Sequence, residues 1–445
     1  MRASFIQAWL GVRASYYFIP GLMCFAAVLL AFATTRIDLA YNQAITDALG
    51  WFYAGTAEGA KNVLSVIAGS MISVAAVTFS LTMVAVTTAA GQYGPRLISN
   101  FMRDRANQIC LGMFLATFIY CLMVLRTTTA ERTGADDQLL GLTPSLSVLV
   151  AMVLTGVSVA VLVFFIHHIP DTLNVGKLTA KVARQLTKQI REGVFPHGAG
   201  LDTADISQMG DPFDTDAVMT LRAPESGFVQ AVSLGGLLKR AQERRLRVRL
   251  RCVPGEFLVE GNPVMDVIAD DPEADATMRE PSDTDVALLT FVAQGDERTA
   301  HQNLLFLADE LVEIAARALS PGVNDPFTAI NCLHWFETSC VAMMEREGQP
   351  DCLADDAGTP RLWADSVNFE RLVGCFFGQS RQYVAGDTNA ARYGLTVLHK
   401  LRRRAPDRYR PVLDAEIRAL QEAIREGGLA PAQVERLMGS PRYDY

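Results

Sequence analysis

The sequence contains no CxxC pair, no HExxH signature, no GxSxG elbow, no Walker loop and no GxGxxG run. The usual zinc, hydrolase, phosphate-cradling and dinucleotide patterns are therefore missing, and no residue set asks for a catalytic role. The expectation is a protein that is not an enzyme and holds no cofactor or metal. Its eight cysteines are scattered: Cys24, Cys110 and Cys121 lie in apolar runs, and Cys252, Cys332, Cys340, Cys352 and Cys375 stand apart further on. Neither a disulfide framework nor a zinc site follows, and small buried hydrophobes in a reducing compartment are expected. Histidine is also scarce. Of the six, His167 and His168 close an apolar run, where an imidazole's apolar body and polar tip suit a membrane interface. The formal charge of −8 argues against nonspecific nucleic-acid binding, which needs an excess of phosphate-neutralising residues.

Charge itself is absent over long stretches. The 34 residues from Asn62 to Pro95, fenced by Lys61 and Arg96, carry no charged side chain. At ~1.5 Å per helical residue they reach roughly 50 Å, more than the ~30 Å of bilayer hydrocarbon. Ala14 to Thr35, Ala106 to Leu125 and a run ending near His168 behave likewise. Four spans are expected, at about 14–35, 62–95, 106–125 and 139–168. The first follows Arg2 and Arg13 as a signal peptide would, but its length and the want of a cleavage site make it a retained helix.

Within the second span, Ser65, Gly69, Ser73, Ala76, Ser80, Thr87 and Gly91 recur at spacings of three, four or their sum, a stripe on one helical face. In lipid such stripes let backbones approach and hydroxyls bond across helices. Packing within or between subunits is one use, and lining a polar path is the other. No charged residue is expected inside the spans, which weighs against an ion path. Between the second and third spans Arg96, Arg103, Asp104 and Arg105 suit a cytoplasmic gate or a headgroup contact.

Orientation follows from Lys and Arg in the flanks. Arg2, Arg13, Arg96, Arg103, Arg105, Lys177, Lys181, Arg184, Lys188 and Arg191 fall on the side of the N-terminus, against Arg36, Lys61, Arg126 and Arg132 opposite. Both termini are expected in the cytoplasm of a bacterium, in a multi-pass inner-membrane protein whose partners are the bilayer and further copies of itself.

The fold class expected is mostly α: a four-helix transmembrane domain over residues 1–170, then a cytoplasmic α+β domain. An amphipathic helix and Asp-rich linker fill 171–218. A small β module, similar in pattern to lipoyl carrier sandwiches but without their lysine, spans 219–295. A helical bundle takes 296–445, with an acidic loop from Glu347 to Thr359. Lys239, Arg240, Arg244, Arg245, Arg247, Arg249 and Arg251 form a basic cluster interrupted by Glu243, with Arg247, Arg249 and Arg251 on one face of a strand. It suits headgroup or subunit contact. Asp309, Glu313 and Arg317 read as a solvated rail. Ser320, Pro321, Gly322, Asn324, Asp325 and Pro326 make a corner between two helices, Gly322 taking the positive φ, Asp325 capping the second helix and Pro326 opening it.

Several of these phrases together resemble one family. Phe79-Ser80, Gln92 to Leu97, Arg103-Asp-Arg with Gln108, Arg298-Thr, Gln302 and the Ala318 to Ala329 run are similar to the bacterial predicted membrane proteins called domain of unknown function 2254. Asn303 departs from it where an acidic residue is usual. The resemblance implies a membrane location and fold type but no activity. Two functions then remain: a homo-oligomeric, channel-like or transport-related protein with a cytoplasmic regulatory domain, or a membrane-anchored sensor or scaffold without conduction.

Overall fold

The structure is a computed structural model that describes residues 17–49, 57–94, 104–130, 144–172, 174–192, 202–203, 211–214, 218–270, 287–300, 302–345, 352–364 and 367–439. It divides into two units between Asn174 and Val175.

The first unit is built from α1 (Phe18–Leu49), α2 (Ala57–Tyr93), α3 (Arg105–Ala130) and α4 (Ser145–Thr172). Each is long and apolar enough to cross a membrane. α3 is central: it packs on the other three, and half of its most apolar stretch is buried, against a third or less elsewhere. Gly112 allows its close approach to α1, because a Cβ there would meet Met23 Sδ at 2.6 Å and Pro20 Cα at 3.1 Å. Tyr120, Phe114, Phe165 and Leu64 fill the interior. α2 stops at Gly94, whose φ of 117° is open to glycine at little cost.

α1 extends well past Thr35. Its membrane-compatible stretch runs Phe18–Tyr41 and includes Arg36 and Asp38, and the backbone breaks helical geometry at Tyr41. The candidate stretch thus takes in two charged residues beyond Thr35, where the expected span ended. Arg36 sits over the Phe32 ring at 4.8 Å, whereas Asp38 is only 4% exposed. A charge at that position persists because another helix supplies donors for it.

The second unit opens with α5 (Val175–Glu192), amphipathic, with Leu178, Val182, Leu186 and Ile190 buried. Two sheets follow. One has six strands in the order β1 (Asp202–Thr203), β8 (Cys352–Ala354), β9 (Pro360–Trp363), β4 (Leu246–Leu250), β6 (Pro263–Ala269), β2 (Met219–Arg222). The other is β5 (Phe257–Leu258), β3 (Gly227–Val232), β7 (Val292–Gly295). With α6 (Leu234–Arg244) they share one apolar core that includes Leu237, Val248, Met265, Val229 and Leu362.

β8 and β9 correct the expected boundaries. Both come from within the stretch 296–445 read as a helical bundle, β8 from its acidic loop and β9 just after that loop, and β9 pairs with β4 in parallel, Val248 opposite Leu362. β1 likewise takes two residues out of the expected linker to pair with β8. A parallel partner 114 positions away leaves no local trace, because pairing needs only edge hydrogen bonds and a matched apolar face. The module of 219–295 is thus completed by strands from beyond it.

The helices that follow are α7 (Leu304–Ala318), α8 (Pro326–Glu345), α9 (Phe369–Val373), α10 (Gln379–Ala385), α11 (Thr388–Arg404), α12 (Arg410–Glu426) and α13 (Pro431–Gly439). Between α9 and α10 a π turn, Gly374–Gly378, places Phe376 on Phe336 with ring centroids 4.2 Å apart.

Candidate functional site

Two sides of α2 differ in what they meet. Leu64, Ile67, Ala68, Met71, Ala75, Thr78, Thr82, Ala85 and Ala89 are buried against the bundle. At about 100° per residue they occupy one side of the helix. Ser65, Gly69, Ser73, Ala76, Ser80, Thr87 and Gly91 occupy the other, and all seven are exposed on the isolated chain. Nothing lies within 4 Å of a Cβ built at Gly69 or Gly91. Val66, Val77, Phe79 and Val84 flank the stripe and are exposed as well. The result is a shallow small-residue channel between bulkier neighbours, turned away from the chain's own helices. Ser73 donates to the Gly69 carbonyl at 2.9 Å and Thr87 to that of Met83 at 2.8 Å, so both hydroxyls are satisfied in lipid.

Polar clusters tie both ends of the bundle. At one end the Asp38 carboxylate accepts from the amides of Leu146 (3.0 Å) and Ser147 (2.9 Å) and from the Ser147 hydroxyl (2.6 Å). It thereby caps the first turn of α4, whose amides have no helical partner. Tyr120 of α3 donates to the Ser147 carbonyl at 3.1 Å and shares a 2.9 Å hydrogen bond with Thr34. Three helices meet on this network.

At the other end Asp104, just before α3, accepts from the Ala106 amide at 2.9 Å and lies 2.9 Å from His168 Nε2 of α4. The His168 ring stacks on Phe164, centroids 5.2 Å apart. Of the charged segment expected as a gate, Arg105 is exposed, while Arg96 and Arg103 lie outside the described residues. Sequence reasoning named Asp104 and His168 separately and missed their contact. It missed Asp38, Tyr120 and Ser147 altogether, for no pattern links residues so far apart. In the middle of the bundle Thr117 and Ser158 share a 3.1 Å hydrogen bond between α3 and α4.

In the second unit the basic cluster is largely answered from within. Arg247 binds Asp270 (3.1 Å), Arg251 binds Asp266 (2.6 Å), and Arg249 binds Asp211 and lies over the Phe213 ring at 4.3 Å. Asp270 and Asp355 also hold the buried Arg361 of β9. Burial opposes the charge of Arg361, but its hydrogen bonds to Asp355 and Asp270 outweigh that and raise its pKa. The Arg249 hydrogen bond, followed by the Phe213 amide, holds the Asp211 carboxyl below its usual range. Arg247, Arg249 and Arg251, expected as a face for headgroups or a second subunit, form a ladder with acids of their own unit. Arg245 has its own local task, closing α6 at φ 54° in the left-handed region.

The rail on α7 is corrected too. Glu313 and Arg317 pair at 3.3 Å, but Asp309 turns inward to Arg298 at 2.7 Å and takes the Cys375 thiol at 3.2 Å. The neighbouring motif residues pin the segment before α7. Thr299 reaches the Gln230 carbonyl, and the Gln302 amide bridges the Val232 amide and carbonyl like an added strand residue. Asn303 caps α7 by accepting from the Phe306 amide at 3.0 Å, a task an acidic residue performs equally well.

The corner behaves as expected except at one residue. Asp325 caps α8 through Thr328, accepting from its amide (3.2 Å) and hydroxyl (2.6 Å), and Pro326 opens the helix. Ser320 bonds back to the Arg317 carbonyl, and the Asn324 amide returns to that of Ser320. The positive φ belongs to Asn324 (51°), not to Gly322, whose surroundings are open; Pro321 is exposed beside it. Asparagine tolerates the left-handed region because its short polar side chain bonds locally.

Four apolar helices with polar ties at each end, followed by a unit of sheets and helices, define a multi-span membrane protein. The chain belongs to the family described as "Predicted membrane protein (DUF2254)", whose model matches residues 13–400. It is similar to "Uncharacterized protein Rv1290c" of Mycobacterium tuberculosis and "Uncharacterized protein Mb1321c" of Mycobacterium bovis. Each is 30% identical over 333 residues, 74% of this chain and 61% of the relative. The matched part thus spans less than two thirds of those relatives, and their names state no activity. No solved structure matches.

Proposed function

We propose that copies of this protein assemble in a bacterial inner membrane through the outward face of α2 and form a channel-like or transport-related oligomer. The unit from Val175 onward would lie in the cytoplasm as its regulatory part. One observation carries this reading: the seven small residues sit almost opposite the face that packs in the subunit. In lipid an apolar face gains little by leaving hydrocarbon, so helices associate where small residues let backbones close up. A stripe spent on the chain's own bundle would face α3, and this one does not. Orientation rests on the excess of Lys and Arg on the N-terminal side. The partners are the bilayer and further copies, with no nucleic acid, cofactor or catalysis.

The second reading, a membrane-anchored sensor or scaffold, is favoured by Ser73 and Thr87 already spending their hydroxyl protons inside the helix. A packed interface satisfies that arrangement as well as a wet path does.

Mass measurement in nanodiscs tests assembly; a monomer overturns the oligomer, since four spans enclose no pore. Single cysteines at Ser73 and Ser80, probed with a water-soluble thiol reagent, test conduction. Met71→Cys, in the bundle, and Val77→Cys, exposed off the stripe, serve as controls. Labelling at Ser73→Cys and Ser80→Cys with both controls protected supports a wet path. Equal protection at all four, with liposome flux at the level of empty vesicles, leaves the anchored scaffold.

A further inference from the structure

The corner between α7 and α8 exposes apolar side chains at one defined end of its unit. Phe327 is 74% exposed and Val323 43%, and Phe327 is the most exposed large apolar residue described from Val175 onward. Single exposed apolar residues are common, so exposure by itself decides nothing. Position does. Near the end of α5, Gln189 donates to the Ala300 carbonyl just ahead of α7, at 3.1 Å. Near the start of α5, Thr179 receives the Asn331 side-chain amide from the early part of α8, also at 3.1 Å. α7 therefore runs antiparallel to α5, and its far end, with the corner and the start of α8, returns to the first turns of α5.

Those turns are where the chain leaves the apolar helices. The fourth membrane-compatible stretch ends at Ile169 and α5 begins at Val175. Six residues reach at most about 20 Å even fully extended. With the fourth stretch in a bilayer, covalent continuity alone limits how far the start of α5 can lie from the membrane face. The outward side of α5 is basic: Lys177, Lys181, Arg184 and Lys188 are exposed, opposite the buried row of Leu178, Val182, Leu186 and Ile190. Such a row is drawn to anionic headgroups, and an aromatic ring beside it is at home in the interfacial layer.

We propose that the corner is a lipid anchor, in which Phe327 and Val323 enter the headgroup–acyl boundary of the leaflet from which α4 emerges. The occupant is the bilayer, and the inference holds whether or not the assembly conducts. The exposed Pro321 stiffens the tip, and Asp325 and Asn324 fix the turn that presents it.

The test uses the full chain in nanodiscs of zwitterionic and anionic lipid. Cys24 is replaced by alanine, and one cysteine at a time carries a polarity-sensitive fluorophore. Phe327→Cys and Val323→Cys are compared with Thr338→Cys, exposed three turns further along α8. The expected result is blue-shifted emission at 327 and 323, with quenching by lipids brominated near the headgroup several-fold stronger than at 338. Emission like that of water and quenching equal to position 338 overturns the anchor. Protection that brominated lipid does not quench, with crosslinks between copies through Phe327→Cys, overturns it in favour of a second copy as occupant.

Discussion

Asp38 and Ser147 lie 109 residues apart, and the carboxylate of the first takes both the amide (2.9 Å) and the hydroxyl (2.6 Å) of the second. A charge on a membrane-compatible helix thus serves as the N-cap of another helix. Each partner answers a need of the other: α4 starts with orphan amides, and Asp38 sits where water is scarce. Asp38→Asn keeps the shape but turns one acceptor into a donor facing donors. A loss of about 1–3 kcal/mol is expected, read as a lower melting temperature in detergent. An unchanged melting temperature would mean that water already satisfies this end of α4.

The corner gives a sharper contrast. Asn324→Val places a β-branched residue at φ 51° and should cost about 1–3 kcal/mol. Gly322→Ala, at ordinary φ and in open space, should be nearly neutral. Denaturant unfolding of both variants checks the assignment, and the reverse order of effects refutes it.

Acid sensitivity should run through Asp355. The Arg361 guanidinium first, then the Thr359 and Ala357 amides, hold its carboxyl below the usual range in spite of burial. A group depressed in the folded state stabilises above its unfolded value near ~3.9 and loses that contribution as pH falls through the folded one. Asp355→Asn should therefore cost about 3 kcal/mol at neutral pH, with a deficit that shrinks below about pH 4. A deficit constant from pH 7 to pH 2 would show that the pair does not titrate on unfolding.

Thiol chemistry should be quiet. Burial pushes Cys252 up to about 12 and Cys332 and Cys340 further up, and Cys352 and Cys375 are also buried. With negligible thiolate at neutral pH, the native protein in detergent should take up no more than one equivalent of a thiol reagent, at the partly exposed Cys24. Several equivalents before denaturation would contradict this packing.

What the sequence determined by itself was whatever repeats over a short distance. Runs without charge announce spans because a bilayer removes every alternative, and a period of three and four lays Ser65 to Gly91 on one face wherever that face points. Alternation put Arg247, Arg249 and Arg251 side by side, and Asp325-Pro326 marked a helix start because capping is local. Tertiary structure alone decided what those faces meet. It turned the α2 stripe outward, set Asp211, Asp266 and Asp270 against the arginines, moved the left-handed residue from Gly322 to Asn324, and brought Asp38 to Ser147 and Asp104 to His168. Such pairings depend on distance in space between residues far apart in the chain, and a local pattern carries no information about that distance.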